Sequence, residues 1–320
     1  AVLAAYMNID DLISKCGLTE QQRNLIAAVV ISEIEEADAR DYVQGVIQNL
    51  DNSGIKFSEP VYATVNMGIC NDEVAFEGVL VAEVSNVDTL DMLVEKMDLP
   101  INSENGVRYY DNSYDEIFWT AGYNSKYFVL AFSSEDVSNE LFRNTLKNAD
   151  INLSVFKDRD IAIYMDMGKL IAFYEQILDM GVRNYQEIID YSNDYYEVIE
   201  AESMLEDYYE QIQQVDIMKE YVGTDVKSVI GLTFKEGRIV LDMEYTGGND
   251  KYLDMYKTVN DNQLKYIPRD AIAIANVGVN GPVIANFVKD VFNNDMLDQF
   301  ASNLDMSKND FSSFLIIFCD

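Results

Sequence analysis

The chain has 320 residues, 56 of them acidic and 23 basic, so its formal net charge at pH 7 is -33, and 48% of its residues are hydrophobic. This length and apolar content are enough for one large folded domain or two ordinary ones, and they exclude a disordered acidic polymer. The negative charge argues against binding to nucleic acid phosphates or anionic lipid head groups, because either interaction requires positive charge on the protein.

The first part of the chain alternates strand and helix patterns. It opens with AVLAAYMNIDDL, whose apolar residues predict a strand followed by a short helix. Thr19 and Gln22 are spaced as a capping box and stand before a long helical pattern. The runs VYATVNMGIC and VAFEGVLVAEV predict two strands joined by a polar turn. The elements that follow are a helix at VDTLDMLVEKM, a meander of strands at GVRYY, EIFWTAGYN and KYFVLAFS, and a helix at SNELFRNTLKN.

The opening phrase recurs later in the chain. Residues 160–171 align with residues 2–13 at a constant offset of 158, and RDAIAIANVGVN at 269–280 is a third, weaker copy. Five aligned pairs of the first two copies are identical: Ala4 and Ala162, Tyr6 and Tyr164, Met7 and Met165, Leu12 and Leu170, and Ile13 and Ile171. The second copy is followed by a long helical pattern, a hairpin at SVIGLTF and RIVLDMEY, and a helix at DKYLDMYKTV, in the order seen behind the first copy.

This recurrence predicts an α+β fold that arose by internal duplication, with two related units of antiparallel sheet and packed helices. The units are predicted at residues 1–150 and 151–320. The third copy, from residue 270, either completes the second unit or begins a third. Because the chain starts within a strand and its first residue is not Met, we expect that processing or trimming removed an N-terminal segment.

No catalytic, cofactor-binding or metal-ligating residues are assigned. The sequence contains no histidine, which is the usual base of Ser and Cys hydrolases and the commonest zinc ligand. It has no Walker-type phosphate loop, and no GxGxxG follows a predicted strand. The three cysteines, Cys16, Cys70 and Cys319, are far apart and form no CxxC pair, which leaves their disulfide state open.

Two chemistries that use carboxylates stay open as alternatives. Two Asp or Glu residues can act as acid and base in glycan processing, but 56 acids make many such pairs inevitable and single none out. In DNSYDE, the residues Asp111, Ser113 and Asp115 alternate as calcium ligands do. This run lacks the glycine and the distant glutamate of an EF-hand loop and lies between two predicted strands. A polar hairpin turn is therefore the favoured interpretation.

Residues 183–221 hold eleven carboxylates and seven tyrosines, with only Arg183 and Lys219 as basic residues. The favoured interpretation is an amphipathic helix or helix pair with its carboxylates in water. Its predicted core-facing residues are Ile188, Tyr195, Ile199, Leu205, Tyr208 and Ile212. The alternative is a surface that binds sugars or basic peptides, because an aromatic ring offers an apolar face beside hydrogen-bonding groups. This candidate partner surface comprises Tyr195, Tyr196, Glu200, Tyr208 and Tyr209.

The segment IPRDAIAIANV at 267–277, with the apolar helix after it, resembles an uncharacterised family of secreted lipoproteins from gut anaerobic bacteria. In that family a proline-lysine-aspartate-alanine strand opens the mature domain. Asp270 and Ala271 fit this strand, with Arg269 in place of the lysine. SKCG at 14–17 fits the end of the family's first helix, and GLTFKEGRIVLDMEY fits its later hairpin. The family carries no established activity, and the resemblance implies a lipid anchor on the periplasmic or outer face of the cell envelope.

The sequence thus predicts a non-enzymatic cell-envelope protein that serves in binding or assembly, without a cofactor and with an unknown protein or glycan as its partner. Contact with a membrane is expected only through a lipid anchor outside this segment, and nucleic acid is not an expected partner. The alternatives are a carboxylate-dependent glycan-processing enzyme and a calcium-dependent adhesion or binding module.

Overall fold

The computed structural model describes residues 1–255 and 280–291, apart from short gaps at 16, 18, 33–39, 41–43, 47–48, 97–98, 149–152, 157 and 236–237. The strands are β1 Leu3–Met7, β2 Val61–Cys70, β3 Glu73–Glu83, β4 Asn102–Glu104, β5 Val107–Tyr114, β6 Ile117–Tyr123, β7 Tyr127–Ser133, β8 Ile161–Asp166, β9 Lys227–Lys235 and β10 Arg238–Thr246. The α-helices are α1 Ile9–Lys15, α2 Glu20–Ser32, α3 Val87–Lys96, α4 Ser138–Lys147, α5 Met167–Tyr191, α6 Tyr195–Val222, α7 Asp250–Leu253 and α8 Gly281–Val291. None of these described helices has the length and apolar character needed to span a membrane.

The ten strands form one sheet in the order β10-β9-β8-β1-β2-β3-β7-β6-β5-β4. Neighbouring strands run antiparallel, which confirms the predicted α+β class and the predicted hairpins. The turns between β2 and β3 and between β5 and β6 each have two residues with positive φ, Asn71 and Asp72 in the first and Asp115 and Glu116 in the second. Asn and Asp tolerate this left-handed conformation, and such turns match the twist of the paired strands.

The first and second copies of the repeated phrase are neighbouring strands, β1 and β8, in the interior of the sheet. In the pairing of β1 with β8, Ala5 lies opposite Ile163, which is its counterpart in the sequence alignment. Leu3 lies opposite Met165, and Met7 lies opposite Ile161. The two copies therefore run in opposite directions, and the start of each lies beside the end of the other. The strands outside this pair follow the same symmetry, with β2 and β3 on one side and β9 and β10 on the other. Duplication itself stays a prediction, and this register is what a duplicated unit would produce.

Contacts divide the chain into two compact units that differ from the predicted consecutive halves. Unit 1 comprises Ala1–Asp166 and Lys227–Tyr245, and unit 2 comprises Met167–Val226 and Thr246–Asp320. The predicted boundaries at 150 and 151 do not separate these units, because β8, β9 and β10 belong to the same sheet as β1 to β7. The predicted strand of the third copy lies outside the described residues, and its predicted helix is α8.

The core of unit 1 lies on the face of the sheet that α4 covers. Phe142 of α4 is fully buried among Val79 and Val81 of β3 and Val129 and Ala131 of β7. On β7 the buried residues alternate with less buried ones, which is the pattern expected when one face of an antiparallel sheet carries the core, whereas on β3 Gly78 and Ala82 are buried as well. A second cluster on β1, β8 and β9 includes Tyr6, whose ring stacks on Phe156 with 5.3 Å between ring centroids.

Unit 2 contains a long helical hairpin made by α5 and α6. The predicted short helix of the second copy is wrong, because the helix that begins at Met167 continues without a break to Tyr191. Gly181 lies within this helix and has a helical backbone conformation, so it does not interrupt the helix. It is the point where α6 packs closely against α5. The ring of Tyr208 covers Gly181, and Ile171, Leu178 and Val215 form the buried core of the pair.

Replacing Gly181 with alanine is expected to destabilise this hairpin by about 1 kcal/mol. An added Cβ would stand 2.2 Å from the Tyr208 Cε1 atom, so the ring would have to move. Alanine favours a helix by about 1 kcal/mol over glycine, but overpacking costs about 1–3 kcal/mol. Denaturation followed by far-UV circular dichroism measures the difference. Gly68→Ala is the control, since its Cβ would meet nothing within 4 Å and should be tolerated. An equally stable Gly181→Ala protein would contradict the close packing.

Candidate functional site

The tip of the helical hairpin, which we define as residues 190–200, is closed by hydrogen bonds from its own side chains. Asp194 caps α6, and its Oδ1 atom accepts hydrogen bonds from the backbone N–H groups of Tyr196 at 2.9 Å and Glu197 at 3.4 Å. The Ser192 hydroxyl donates to the Glu197 carboxylate at 2.5 Å and accepts from the Asp194 N–H at 3.1 Å. A capped helix start of this kind presents its first side chains in fixed directions.

Three tyrosines stand exposed at this tip. Tyr191 is 81% exposed, Tyr195 72% and Tyr196 81%, although buried or half-buried positions are usual for so large an aromatic ring. The rings of Tyr195 and Tyr196 meet edge-on with 5.9 Å between centroids. Ile199, one turn further along α6, is 45% exposed. The tip therefore leaves apolar surface in water at adjacent positions.

The segment that carries these rings has acidic and no basic side chains. No Lys or Arg occurs between residues 184 and 218, whereas ten carboxylates do. Four of them lie in the tip itself and are exposed: Asp190, Asp194, Glu197 and Glu200. Aromatic rings beside carboxylates form a surface that attracts cations through both the ring face and the negative charge.

The structure brings together only part of the predicted partner surface. Tyr195, Tyr196 and Glu200 lie in the tip, and all three are exposed. Tyr208 is half-buried between the helices, where its ring lies 5.6 Å from that of Tyr185. Tyr209 is 54% exposed, but thirteen residues of helix after Tyr196 place it about 20 Å away. The surface is therefore smaller than predicted, and Tyr208 does not belong to it.

Sequence reasoning missed Tyr191 and misplaced two other residues. Tyr195 and Ile199 were predicted to face the core, and this is wrong because both lie in the first turns of α6 and are exposed. Tyr208 and Ile212 do pack in the core of the helix pair, as predicted. The signal for Tyr191 was the Ser-Asn-Asp run directly after it, which is typical of a helix break and places the preceding tyrosine at a helix end.

A shallow cleft of about 300 Å³ lies beside β2, β3 and β7 in unit 1. It contains two carboxylates, Glu77 and Glu135, with Met67 and Phe76 as apolar lining. Glu77 accepts a hydrogen bond from the Asn66 side chain at 3.0 Å, and Glu135 is exposed. Glu77 and Glu135 are therefore one candidate acid and base pair for the glycan-processing alternative.

Among the described residues, no cluster of candidate ligands supports the calcium alternative. The predicted hairpin turn at DNSYDE is confirmed, since Asp111 and Ser113 lie on β5 and Asp115 lies in the turn to β6. Asp111 accepts a hydrogen bond from the Asn102 side chain at 3.3 Å. In the part of the chain that the structure describes, no three His, Cys, Asp or Glu side chains are grouped so that they could hold a metal ion.

Arg159 and Asp160, which stand directly before β8, both form ion pairs within the sheet unit. Arg159 is 8% exposed and forms ion pairs with Asp242 and Glu244 of β10. Asp160 is 2% exposed and accepts a hydrogen bond from the Lys15 ammonium group at 2.6 Å. Both residues are therefore engaged within unit 1. Of the cysteines, Cys70 is free and exposed, and Cys16 and Cys319 lie outside the described residues.

Comparison with known proteins places the chain in a family. A family model described as "Domain of unknown function (DUF4836)" matches residues 1–314. The chain belongs to this family. The match confirms the predicted membership in an uncharacterised family, whereas lipoprotein character and an origin in gut anaerobes stay predictions. No curated protein and no solved structure matches the sequence.

Proposed function

We propose that the protein is a non-enzymatic cell-envelope protein that binds a partner protein through the tip of its helical hairpin. The observation that supports this proposal is the set of three exposed tyrosines, Tyr191, Tyr195 and Tyr196, on a capped turn surrounded by carboxylates. The partner surface is expected to carry Lys or Arg residues.

The physical argument starts from the cost of leaving these rings in water. An exposed tyrosine ring gains none of the burial energy that stabilises most aromatic residues, so these three rings contribute little to folding and keep their apolar area available for a partner. Tyrosine is enriched among the residues that dominate binding energy in protein interfaces, because it supplies a large rigid contact area with one polar group. A preformed tip also lowers the entropy lost on binding.

The charge of the tip favours a basic partner. A guanidinium or ammonium group placed over a tyrosine ring gains a cation–π interaction, and a carboxylate beside the ring adds a charge-assisted hydrogen bond. The net charge of -33 raises the encounter rate with such a partner and repels a second copy of the chain. Location in the cell envelope, through a lipid anchor outside this segment, rests on the resemblance of the repeated strands to the lipoprotein family.

The test is a binding measurement with cationic peptides of Lys and Arg at moderate salt. We expect a variant with Tyr191→Ala, Tyr195→Ala and Tyr196→Ala to bind at least tenfold more weakly, a loss of about 1.4 kcal/mol or more. Because the variant keeps every carboxylate, unspecific attraction to the negative chain would leave its affinity unchanged and would contradict the proposal. Tyr114→Ala is the control, since Tyr114 is 79% exposed on β5 in unit 1.

The other predicted functions give different outcomes in the same set of experiments. Binding of a soluble glycan that depends on the three tyrosines would indicate that the partner is a sugar and not a protein. Hydrolysis of a glycan that is abolished by Glu77→Gln or Glu135→Gln would overturn the non-enzymatic proposal. A melting temperature that rises with millimolar calcium and falls with a chelator would favour the calcium-dependent module.

A further inference from the structure

Four aromatic residues form a row across one face of the sheet in unit 1, and we call them the aromatic row. They are Tyr110 on β5, Trp119 on β6, Phe132 on β7 and Phe76 on β3, and these four strands are consecutive in the sheet. The ring centroids of Tyr110 and Trp119 are 5.3 Å apart, and those of Phe132 and Phe76 are 6.3 Å apart. Trp119 lies directly opposite Phe132 in the pairing of β6 with β7. At a strand spacing of about 4.8 Å, the row is about 14 Å long.

The aromatic row lies on the face of the sheet opposite to the one that α4 covers. Thr120 and Ala131 belong to the covered face and are each 0% exposed, and the Thr120 hydroxyl lies 3.0 Å from the Ser138 hydroxyl of α4. Their neighbours in sequence, Trp119 and Phe132, are partly exposed, as are the other two residues of the row. Because successive side chains of a strand point to opposite faces, the aromatic row keeps contact with solvent while the core face does not.

The ring of Phe132 continues the row from β7 onto β3, where it lies over Gly78. A Cβ added to Gly78 would stand 2.3 Å from the Phe132 Cζ atom, so a side chain at this position would displace the ring. Glycine within a strand is typical of a place where another group approaches the backbone closely. The ring of Phe132 therefore lies close to the backbone of the sheet, between the rings of Trp119 and Phe76.

The aromatic row lies on an almost uncharged face of a chain with 56 acidic and 23 basic residues. Arg108 is the only charged residue on this face of β3, β5, β6 and β7, strands that the structure describes in full. Its guanidinium group pairs with the Asp91 carboxylate at 2.8 Å. The polar group beside the row is neutral, since the exposed Asn112 side chain donates a hydrogen bond to the Tyr110 hydroxyl at 3.2 Å. This face therefore favours an uncharged ligand that can also form hydrogen bonds.

We propose that the aromatic row is a binding site for a chain of neutral sugars. A sugar ring presents a face of C–H groups that stacks on an aromatic ring, and its hydroxyl groups can bond to the Asn112 amide and the Tyr110 hydroxyl. The row is longer than one sugar ring, so an oligosaccharide should bind more tightly than its monosaccharide. A second copy of the chain is disfavoured on this face, because two molecules with a net charge of -33 each repel one another.

The test follows the fluorescence of Trp119, the only tryptophan of the chain, while the whole chain is titrated with neutral hexasaccharides of glucose, mannose and xylose. We expect a saturable change with at least one of them and an affinity that is the same at low and high salt, because no charges are paired. The corresponding monosaccharide should bind at least tenfold more weakly. The absence of a saturable change with every hexasaccharide would overturn the proposal, and so would an affinity that falls steeply with salt.

Two variants separate ring stacking from general apolar attraction. Tyr110→Leu combined with Phe132→Leu keeps apolar side chains but removes two rings, and it should weaken binding at least tenfold. Phe118→Leu is the matched control with unchanged affinity, because Phe118 stands beside Trp119 on β6 but points to the opposite face. Equal affinity of the double variant and the natural protein would overturn the proposal. A dimer that forms with rising protein concentration and is abolished in the double variant would do so as well, since it would assign the row to a second copy.

A variant at an exposed position tests the site without disturbing its packing. Asn112→Ala removes the neutral amide beside the row and should weaken binding about threefold, the loss expected for one hydrogen bond. An unchanged affinity would contradict the placement of the sugar hydroxyl groups at this amide. Binding should persist in the variant that lacks Tyr191, Tyr195 and Tyr196, so failure of the hairpin tip and failure of the aromatic row are distinguishable.

Discussion

Replacing Phe142 with alanine is expected to lower the free energy of unfolding of unit 1 by about 3–5 kcal/mol, the range for truncation of a buried aromatic residue. Phe142 is 0% exposed, and so are its neighbours Val81 and Val129 in the sheet. The ring also reaches Gly122 on β6, where an added Cβ would lie 2.7 Å from the Phe142 Cζ atom. The strands around it are hydrogen-bonded on both sides and cannot collapse into the cavity that the truncation leaves.

The measurement is urea denaturation followed by tryptophan fluorescence. Trp119, the only tryptophan of the chain, lies on β6 in unit 1 and packs edge-on against Tyr110 with 5.3 Å between ring centroids. Its signal therefore reports this unit even if the two units unfold separately. Met92→Ala on α3 is the control, since Met92 is 62% exposed and its loss should cost less than about 0.5 kcal/mol. A Phe142→Ala protein as stable as the Met92→Ala protein would show that α4 does not organise this core.

Most strands were predictable because each carries its own signal, whereas β4, the polar run Asn102–Glu104, was not predicted. Alternating apolar residues mark β2, β3, β6 and β7, and polar residues such as Asn71 and Asp72 adopt the turn conformation between paired strands. The start of α2 was also predictable from neighbouring residues. The Gln22 N–H donates to the Thr19 hydroxyl at 3.3 Å, and the Thr19 N–H donates to the Gln22 side chain at 2.9 Å. Both features depend on residues that are neighbours in the sequence.

The joining of all strands into one sheet was not predictable in the same way. β1 pairs with β8 across more than 150 residues of sequence, and no local pattern in either strand specifies that choice. The repeat predicted two similar units but could not indicate whether their sheets were separate or continuous. The register in which Ala5 meets Ile163 supplies the missing information, because it places the two copies around a common axis within one sheet.

The candidate site was predictable in composition and not in geometry. Acidic residues and tyrosines at 183–221 indicated a surface, but helical periodicity placed Tyr195 in the core. The error arose because the apolar stripe of a helix predicts burial only where another element covers it. Among the described residues the end of α5 is what lies beside α6 at the tip, so Tyr195 and Tyr196 are exposed, while Tyr208 further along the same helix is packed.

Replacing Asp160 with alanine is expected to cost about 2–3 kcal/mol of stability, whereas the same change at Asp11 should cost less than about 1 kcal/mol. Both carboxylates bind the same ammonium group, that of Lys15, at 2.6 Å for Asp160 and 3.3 Å for Asp11. The Asp160 side chain is only 3% exposed, and its second oxygen accepts the backbone N–H of Phe234 at 2.7 Å. The Asp11 side chain is 53% exposed, where an ion pair contributes little.

The comparison is balanced because each variant removes one negative charge and one partner of Lys15. Loss of Asp160 also leaves the Phe234 N–H without its acceptor at the junction of β8 and β9, and this accounts for the larger cost. Chemical denaturation at neutral pH measures both variants, and equal costs would contradict a structural role for the buried Asp160 carboxylate.

The pH dependence gives a second and independent measurement of the same pair. The hydrogen bond to Asp160 raises the pKa of Lys15 above its ordinary value of 10.5. A lysine whose pKa is raised by folding stabilises the protein fully below its unfolded pKa, and that contribution is lost as the pH rises through the folded pKa. The difference in stability between the natural protein and Asp160→Ala should therefore be constant at neutral pH and should narrow above pH 10.5. It should not vanish there, because the hydrogen bond from Phe234 does not titrate with Lys15. A difference that stayed constant through this range would show that the ion pair contributes nothing and that the backbone hydrogen bond alone carries the effect.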